Sequence, residues 1–233
     1  MEAGINHLEK IFLCFKKNYG PQFWWPTTSA GEIIPKYQGG PVNEKQKLEV
    51  IFGSILMQNT AWKNAEKAII ELNKKDMIDI DKIIKIKEEE LAQTIRSSGY
   101  YNQKSKKIKN MCYFLKENSL TELEKLETDE LKELLLKING VGKETADSII
   151  LYALNKPVFV VDAYSKRIFS RIGICKKDIA YDEMQKIFQE KLGTDAKLFN
   201  EYHALIVEHA KRYCQKVPLC RGCILENVCK KII

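Results

Sequence analysis

No stretch of this 233-residue chain approaches 18 consecutive uncharged apolar residues, which excludes a membrane-spanning helix. The opening segment, MEAGINHLEKIF, sets acids inside its apolar pattern and offers no small-residue cleavage site. It does not read as a secretory leader, and a cytoplasmic protein is expected. Internal repeats and low-complexity tracts are missing too. Strand patterning is almost absent: KPVFVVD, residues 156–162, is the single candidate, and so short and isolated a run reads as an extended connector. Proline and glycine are scarce and unevenly spread. Three of the six prolines and three of the twelve glycines fall in residues 26–43, which marks a loop or a boundary.

What remains is helical spacing. Leu48, Ile51, Phe52, Ile55 and Leu56 fall on one helix face, as do Ala65, Ala68, Ile69 and Leu72. Ile108, Met111, Cys112 and Leu115 repeat the pattern, and so do Leu131, Leu134, Leu135 and Ile138. The expected fold class is all-α, a compact helical array rather than a coiled coil. The length suits one large domain or two small ones. A formal charge of +7 suits a polyanionic partner, although solvated lysine faces give the same balance.

The stretch INGVGKETADSI, residues 138–149, joins two of these helical patterns. Gly140 and Gly142 permit positive φ and close backbone approach. The helix that follows presents unpaired N–H groups and the positive end of its dipole, an arrangement that holds a phosphate. An ordinary glycine turn between helices has the same look. Downstream, Asp162 ends the apolar run of VVDAYSKRI just before another helical pattern. A carboxylate there caps the helix or serves chemistry.

Together, GVGKETADSI and VFVVDAYSKRI resemble the helix–hairpin–helix DNA glycosylases of the endonuclease III superfamily. The 18-residue separation of Glu144 and Asp162 matches that of the family's two active-site positions. The resemblance implies that Gly140, Val141, Gly142 and Lys143 hold DNA phosphate and that Asp162 is the catalytic aspartate. The chemistry suits a carboxylate: breaking an N-glycosidic bond builds positive charge on the sugar, which a nearby anion stabilises. The target base must first leave the stack.

Seven cysteines are present. Cys14, Cys112 and Cys175 sit among apolar neighbours and read as buried thiols. Cys214, Cys220, Cys223 and Cys229 form a C-x5-C-x2-C-x5-C cluster. In a cytosolic chain such a quartet binds Zn²⁺ or an iron–sulfur cluster, and spacing leaves the choice open. The resemblance implies a structural [4Fe–4S] cluster, with Lys216 and Arg221 of the same segment offered to the DNA backbone. The first gap of five residues is one shorter than is usual in endonuclease III. His203 and His209, near the quartet at helical spacing, read as core or interface residues.

Bifunctional members of that superfamily carry, at the position of Glu144, a lysine that attacks C1′ and forms a Schiff base. A carboxylate forms no imine, and neighbouring Lys143 points about 100° away around the helix. The resemblance therefore implies a monofunctional enzyme. QFWWP (22–26), MQNTAW (57–62) and SGYYNQKSKKI (98–108) resemble the bacterial 3-methyladenine DNA glycosylase branch. In that branch, aromatics at the positions of Trp24 and Trp62 sandwich the extruded base, Trp25 and Pro26 line the pocket, and the position of Gln58 lies beside the flipped nucleotide. Residues Tyr100 to Lys104 open a helix whose first turn is rich in donors. Stacking suits an alkylated purine, which is cationic.

The implied architecture has two helical lobes with DNA across the cleft between them. Residues 44–153 make the hairpin lobe, residues 1–43 with 154–233 make the second, and Asp162 lies at the cleft mouth. The expected partner is double-stranded DNA with a damaged base, bound by a monomer in the cytoplasm, on the nucleoid of a bacterium. The alternatives are a bifunctional glycosylase/lyase for oxidised pyrimidines and a DNA-binding module without chemistry.

Overall fold

In a computed structural model of the chain, residues 7–232 are described. Among them there is no strand, only an isolated antiparallel bridge between Thr27 and Lys36. The all-α expectation holds. Residues 157–162 form neither helix nor strand, as a connector should; side chains of Gln185 and Gln189 bond the Phe159 carbonyl and N–H at 2.6 and 3.1 Å.

The chain divides into two compact units, one spanning Phe23–Lys156 and the other made of the residues before and after it. The first contains α2 (Glu44–Leu56), α3 (Trp62–Lys74), α4 (Ile80–Lys85), α5 (Glu88–Thr94), α6 (Tyr101–Glu117), α7 (Leu120–Leu123), α8 (Thr128–Leu136) and α9 (Lys143–Ser148). The helix of α9 continues as a π-helical turn over Ile149–Ala153. Helix α2 is its centre. Every residue from Leu48 to Leu56 is buried, Glu49 and Ser54 included, so this stretch is enclosed all round, with α3, α6 and the π turn packed against it. Asn43 starts α2 by accepting the Gln46 N–H, and α6 covers α4 and α5.

The boundary lies at residue 22 rather than 43, because residues 23–43 are sewn to α2. Glu49 is nearly inaccessible and accepts the Thr28 N–H and hydroxyl, both at 3.0 Å. Asn73 of α3 donates to its other oxygen at 3.2 Å. Gln46 donates to the Thr28 carbonyl at 3.1 Å and accepts the Val42 N–H at 2.8 Å. Gln46, Glu49 and Gly53 stand three and four residues apart, on one face of α2. At Gly53 the indole of Trp25 lies so close that a Cβ would be 3.1 Å from its Cζ2. At the other end, Lys156 stays with this unit by donating to Leu126 O at 2.7 Å.

The second unit comprises α1 (His7–Tyr19), α10 (Ala163–Ile172), α11 (Tyr181–Leu192), α12 (Ala196–Arg212) and the cysteine segment. Its core is aromatic. Phe159 stacks on Phe188 at 4.0 Å and meets Phe199 edge-on at 5.6 Å, with Tyr202 of α12 beside them. Tyr202 is fully buried and satisfies its hydroxyl by donating to Leu8 O at 2.8 Å, which fixes α1 on α12. Cys112 is buried in the first unit, as expected, whereas Cys14 and Cys175 of the second are only half-buried.

Candidate active site

The glycine turn forms as its composition requires. Leu134 and Leu135 carbonyls accept the N–H groups of Lys137 and Ile138 as α8 ends, and Val141 donates its own N–H to Ile138 O at 3.0 Å. That bond and its buried side chain make Val141 an anchor of the turn; its N–H is committed within the protein. The two glycines differ. Gly140 has φ +98°, and a Cβ there would sit 2.3 Å from Lys107 Cγ. Gly142 caps α9 with φ −98°, a value open to any residue, and nothing lies within 4 Å of where its Cβ would be. Open space in front of a helix N-terminus suits an anion. Lys143 and Glu144 are both exposed in the first turn.

Gln58 lies behind the turn and grips it. Its Nε2 donates to Gly140 O and to Thr145 Oγ1, both at 3.0 Å, while Lys107 Nζ donates to Oε1 at 2.5 Å. Asn110 of α6 donates to Asn139 O at 3.2 Å. The hairpin helices are further joined by Lys132 and Asp147 at 3.0 Å, the latter with no exposed side-chain surface. Lys104 is no surface donor: it is buried, and its ammonium bonds the carbonyls of Leu56 and Ser98, both at 2.7 Å. Burial, with Lys107 nearby, lowers its pKa to about 8.

The aromatic residues do assemble within this same unit. Trp24 and Trp62 meet edge to face with centroids 5.2 Å apart, and Trp25 meets Trp62 at 5.5 Å. Tyr37 flanks Trp24 at 5.6 Å, Tyr152 flanks Trp25 at 5.2 Å, and Pro26 is buried. The Trp24–Trp62 pair touches directly. Holding a planar base between two rings needs roughly 7 Å between parallel planes, twice a van der Waals contact. One ring must therefore turn aside before a base can enter. The indole Nε1 of Trp62 is buried and has no hydrogen-bond partner among the described residues.

In the other unit, Asp162 caps α10. Its Oδ1 accepts the Ser165 N–H at 2.7 Å and the Ser165 hydroxyl at 2.8 Å. His203 Nε2 lies 3.6 Å from Oδ2, and both side chains are 11% exposed. Burial on its own pushes the carboxyl upward. The His203 contact and the Ser165 hydrogen bonds outweigh it and hold the pKa below the ordinary aspartate value. The result is an ionised, nearly enclosed carboxylate with one oxygen tied down. His203 is the residue that sequence reading missed: helical spacing gives its burial, but nothing local announces contact with a carboxylate 41 positions upstream. Lys107 and Glu49 were equally silent, since each works through partners far along the chain.

The four cysteines line a single cavity together with Arg171, His209 and apolar neighbours. Arg171 donates to Cys214 Sγ at 3.4 Å, and the N–H groups of Leu225 and Lys231 point at the sulfurs of Cys223 and Cys229 at 3.5 and 3.4 Å. N–H donors turned toward sulfur favour thiolates and suit the ligands of an iron–sulfur cluster. Among the described residues, no three His, Cys, Asp or Glu side chains close around one metal ion. Lys216 and Arg221 are exposed on this segment.

Comparison with known proteins agrees with the two motifs. A family described as HhH-GPD superfamily base excision DNA repair protein matches residues 52–194. The "Putative DNA repair glycosylase" of Methanocaldococcus jannaschii is 43% identical over 232 residues, covering 98% of each chain. Endonuclease III of Thermotoga maritima is 30% identical over 86% of this chain and 90% of its own length. Among solved structures, the H. pylori 3-methyladenine DNA glycosylase bound to 1,N6-ethenoadenine aligns with a TM-score of 0.68 at 28% identity, covering 87% of this chain and 96% of that one. With hairpin and aspartate both inside the matched span, and a relative this similar from end to end, the chain belongs to the HhH-GPD superfamily of base excision DNA repair proteins.

Proposed function

We propose that the protein is a monofunctional DNA N-glycosylase, which flips an alkylated purine such as 3-methyladenine out of duplex DNA and hydrolyses its bond to the sugar. The observation that carries this reading is Asp162: a carboxylate kept ionised while nearly enclosed, with Oδ1 committed to Ser165. An anion already desolvated and oriented stabilises charge that develops on the sugar, at little reorganisation cost during the reaction. Water then takes the base's place at C1′, with Asp162 orienting it. Glu144, exposed in the first turn of α9, has no amine with which to form an imine, so the product is an abasic site.

Three further groups support the reading. The space before Gly142 and the cation of Lys143 suit a DNA phosphate, and Lys216 and Arg221 add positive charge on the cysteine segment. Trp24, Trp25, Pro26 and Trp62 supply aromatic faces suited to a cationic purine, the substrate class named for the H. pylori relative. Gln58, which holds the hairpin in the free protein, leaves it in this reading and fills the gap of the extruded base. Cys214, Cys220, Cys223 and Cys229 would hold a [4Fe–4S] cluster, which when bound would cross-link the segment around it.

The test is release of free base from methylated duplex DNA by the purified protein, with Asp162→Asn as control. The amide keeps the shape and loses the charge. Base release should fall by about 10³-fold, with binding to abasic-site DNA unchanged or tighter. Release of oxidised pyrimidines with strand cleavage would replace this reading with the lyase one. No release from any lesion would leave a binding module.

A further inference from the structure

The outer oxygen of Asp162 has one described neighbour able to steer it. Oδ1 is fixed by Ser165, whereas Oδ2 faces His203 Nε2 at 3.6 Å, just beyond hydrogen-bond length. The ring and the carboxyl are both nearly enclosed, so a small shift of either closes the contact into a bond. Contacts of this kind are often long in a free enzyme and tighten around substrate. We propose that His203 is the positioning residue of this site: an Nε2–H directed at Oδ2 holds the free oxygen of Asp162 in its working direction. The proposal rests on the catalytic reading of Asp162 given above.

Most other ionisable groups on the two helices have partners elsewhere. On α10, Lys166 donates to Ile179 O at 2.9 Å, Arg167 to Cys214 O at 2.8 Å, and Arg171 to Gln215 O at 2.6 Å. On α12, Glu201 accepts the Gln22 N–H at 2.9 Å, Glu208 pairs with Arg212 at 2.6 Å, and His209 bonds the Tyr19 hydroxyl at 2.8 Å. Rigidity on the far side adds to the argument. Tyr202, the residue before His203, is locked into the aromatic core and bonded to Leu8 O, so α12 presents the imidazole from a fixed base.

The experiment compares His203→Phe, which keeps a ring and removes both nitrogens, with His203→Gln, which keeps a donor. The readouts are single-turnover base release from methylated duplex DNA across pH, and binding to abasic-site DNA. In His203→Phe, release should slow by about tenfold to a hundredfold. Its acid limb should move to higher pH, because a carboxyl that loses a stabilising partner protonates sooner. His203→Gln should recover part of the rate, and DNA binding should be unchanged in both. A merely structural histidine would alter stability without moving the acid limb. Should the phenylalanine variant fail to fold, the glutamine variant decides by its limb: an upward shift of intermediate size supports the role, and a limb identical to wild type together with an unchanged rate overturns it. If Asp162→Asn abolishes release while His203→Phe behaves as wild type, only this proposal falls. If Asp162→Asn is itself active, the reading of the site falls with it.

Discussion

The hairpin and the cysteine segment carry the two strongest sequence signals, yet the fold treats them in opposite ways. Around the hairpin, side chains of its unit converge: Gln58 bonds Gly140 and Thr145, Lys107 bonds Gln58, Asn110 bonds Asn139, and Lys132 pairs with Asp147 beyond them. Its geometry is complete within the protein. Among its described residues, the cysteine segment beyond α12 has no helix, buries only Leu225, and leaves Val217 80% and Val228 64% exposed. Arg171 reaches across to the carbonyls of Gln215 and Lys216, and the four thiols face one cavity. One region is held by packing and hydrogen bonds on every side, whereas the other has a few hydrogen bonds, one buried side chain and four sulfurs around a common cavity. A short motif can therefore be specified by its surroundings or by its own chemistry, and mutation tells the two apart.

The largest effect is expected at the cysteines. If the quartet holds an iron–sulfur cluster, Cys220→Ser should lower bound iron and sulfide and destabilise its unit by several kcal/mol, since binding free energy of such a site is folding free energy. Thermal unfolding followed alongside the brown absorbance near 400 nm tests this. Stoichiometric zinc in the wild type, or an unchanged melting curve in the variant, would count against it. The same substitution should leave the hairpin's unit as stable as before.

At the hairpin the two glycines sharpen the comparison. Gly140→Ala forces a Cβ into the Lys107 stem and strains a φ of +98°, for a cost on the order of 1–3 kcal/mol and a loosened Gln58 grip. Gly142→Ala meets nothing within 4 Å at an ordinary φ, so the free protein should tolerate it. If a DNA backbone approaches there, the second variant should keep its stability and lose affinity for abasic-site DNA, about tenfold. Denaturant melts and binding titrations on both variants separate the cases. Equal affinity for wild type and Gly142→Ala would remove the phosphate from this turn.

These contrasts also explain what could be read in advance. Helices, hairpin, cysteine quartet and the helix-capping position of Asp162 all follow from local rules, periodicity and spacing above all. His203 beside Asp162, Lys107 over Gly140 and the Gln46–Glu49–Gly53 face that receives residues 23–43 depend on contacts between segments remote in sequence. Each joins residues that no local pattern connects. Lys104 misled for the same reason: in the sequence it belongs to a polar first turn, and in the fold two distant carbonyls draw it inward. Burial of a lysine is tolerable there because both acceptors complete its hydrogen bonds.

The smallest expected effect is also the one that separates mono- from bifunctional chemistry. Glu144 stands exposed in the first turn of α9, where an acid is favoured by the helix dipole whatever its function. Replacing it should hardly change stability, by roughly 0.5 kcal/mol. Its identity matters for what cannot happen. Wild-type protein incubated with damaged DNA and borohydride should yield no covalent adduct, because only an imine is reduced to one. Glu144→Lys places an amine there, but a Schiff-base lysine also needs a lowered pKa, and an exposed helix start offers little desolvation to lower it. A weak adduct is the expected gain, well below stoichiometric, with base release still set by Asp162. Efficient trapping by the unmodified protein would show that Lys143 or another amine is the nucleophile, and the monofunctional assignment would then fail even if every other feature of the hairpin stood.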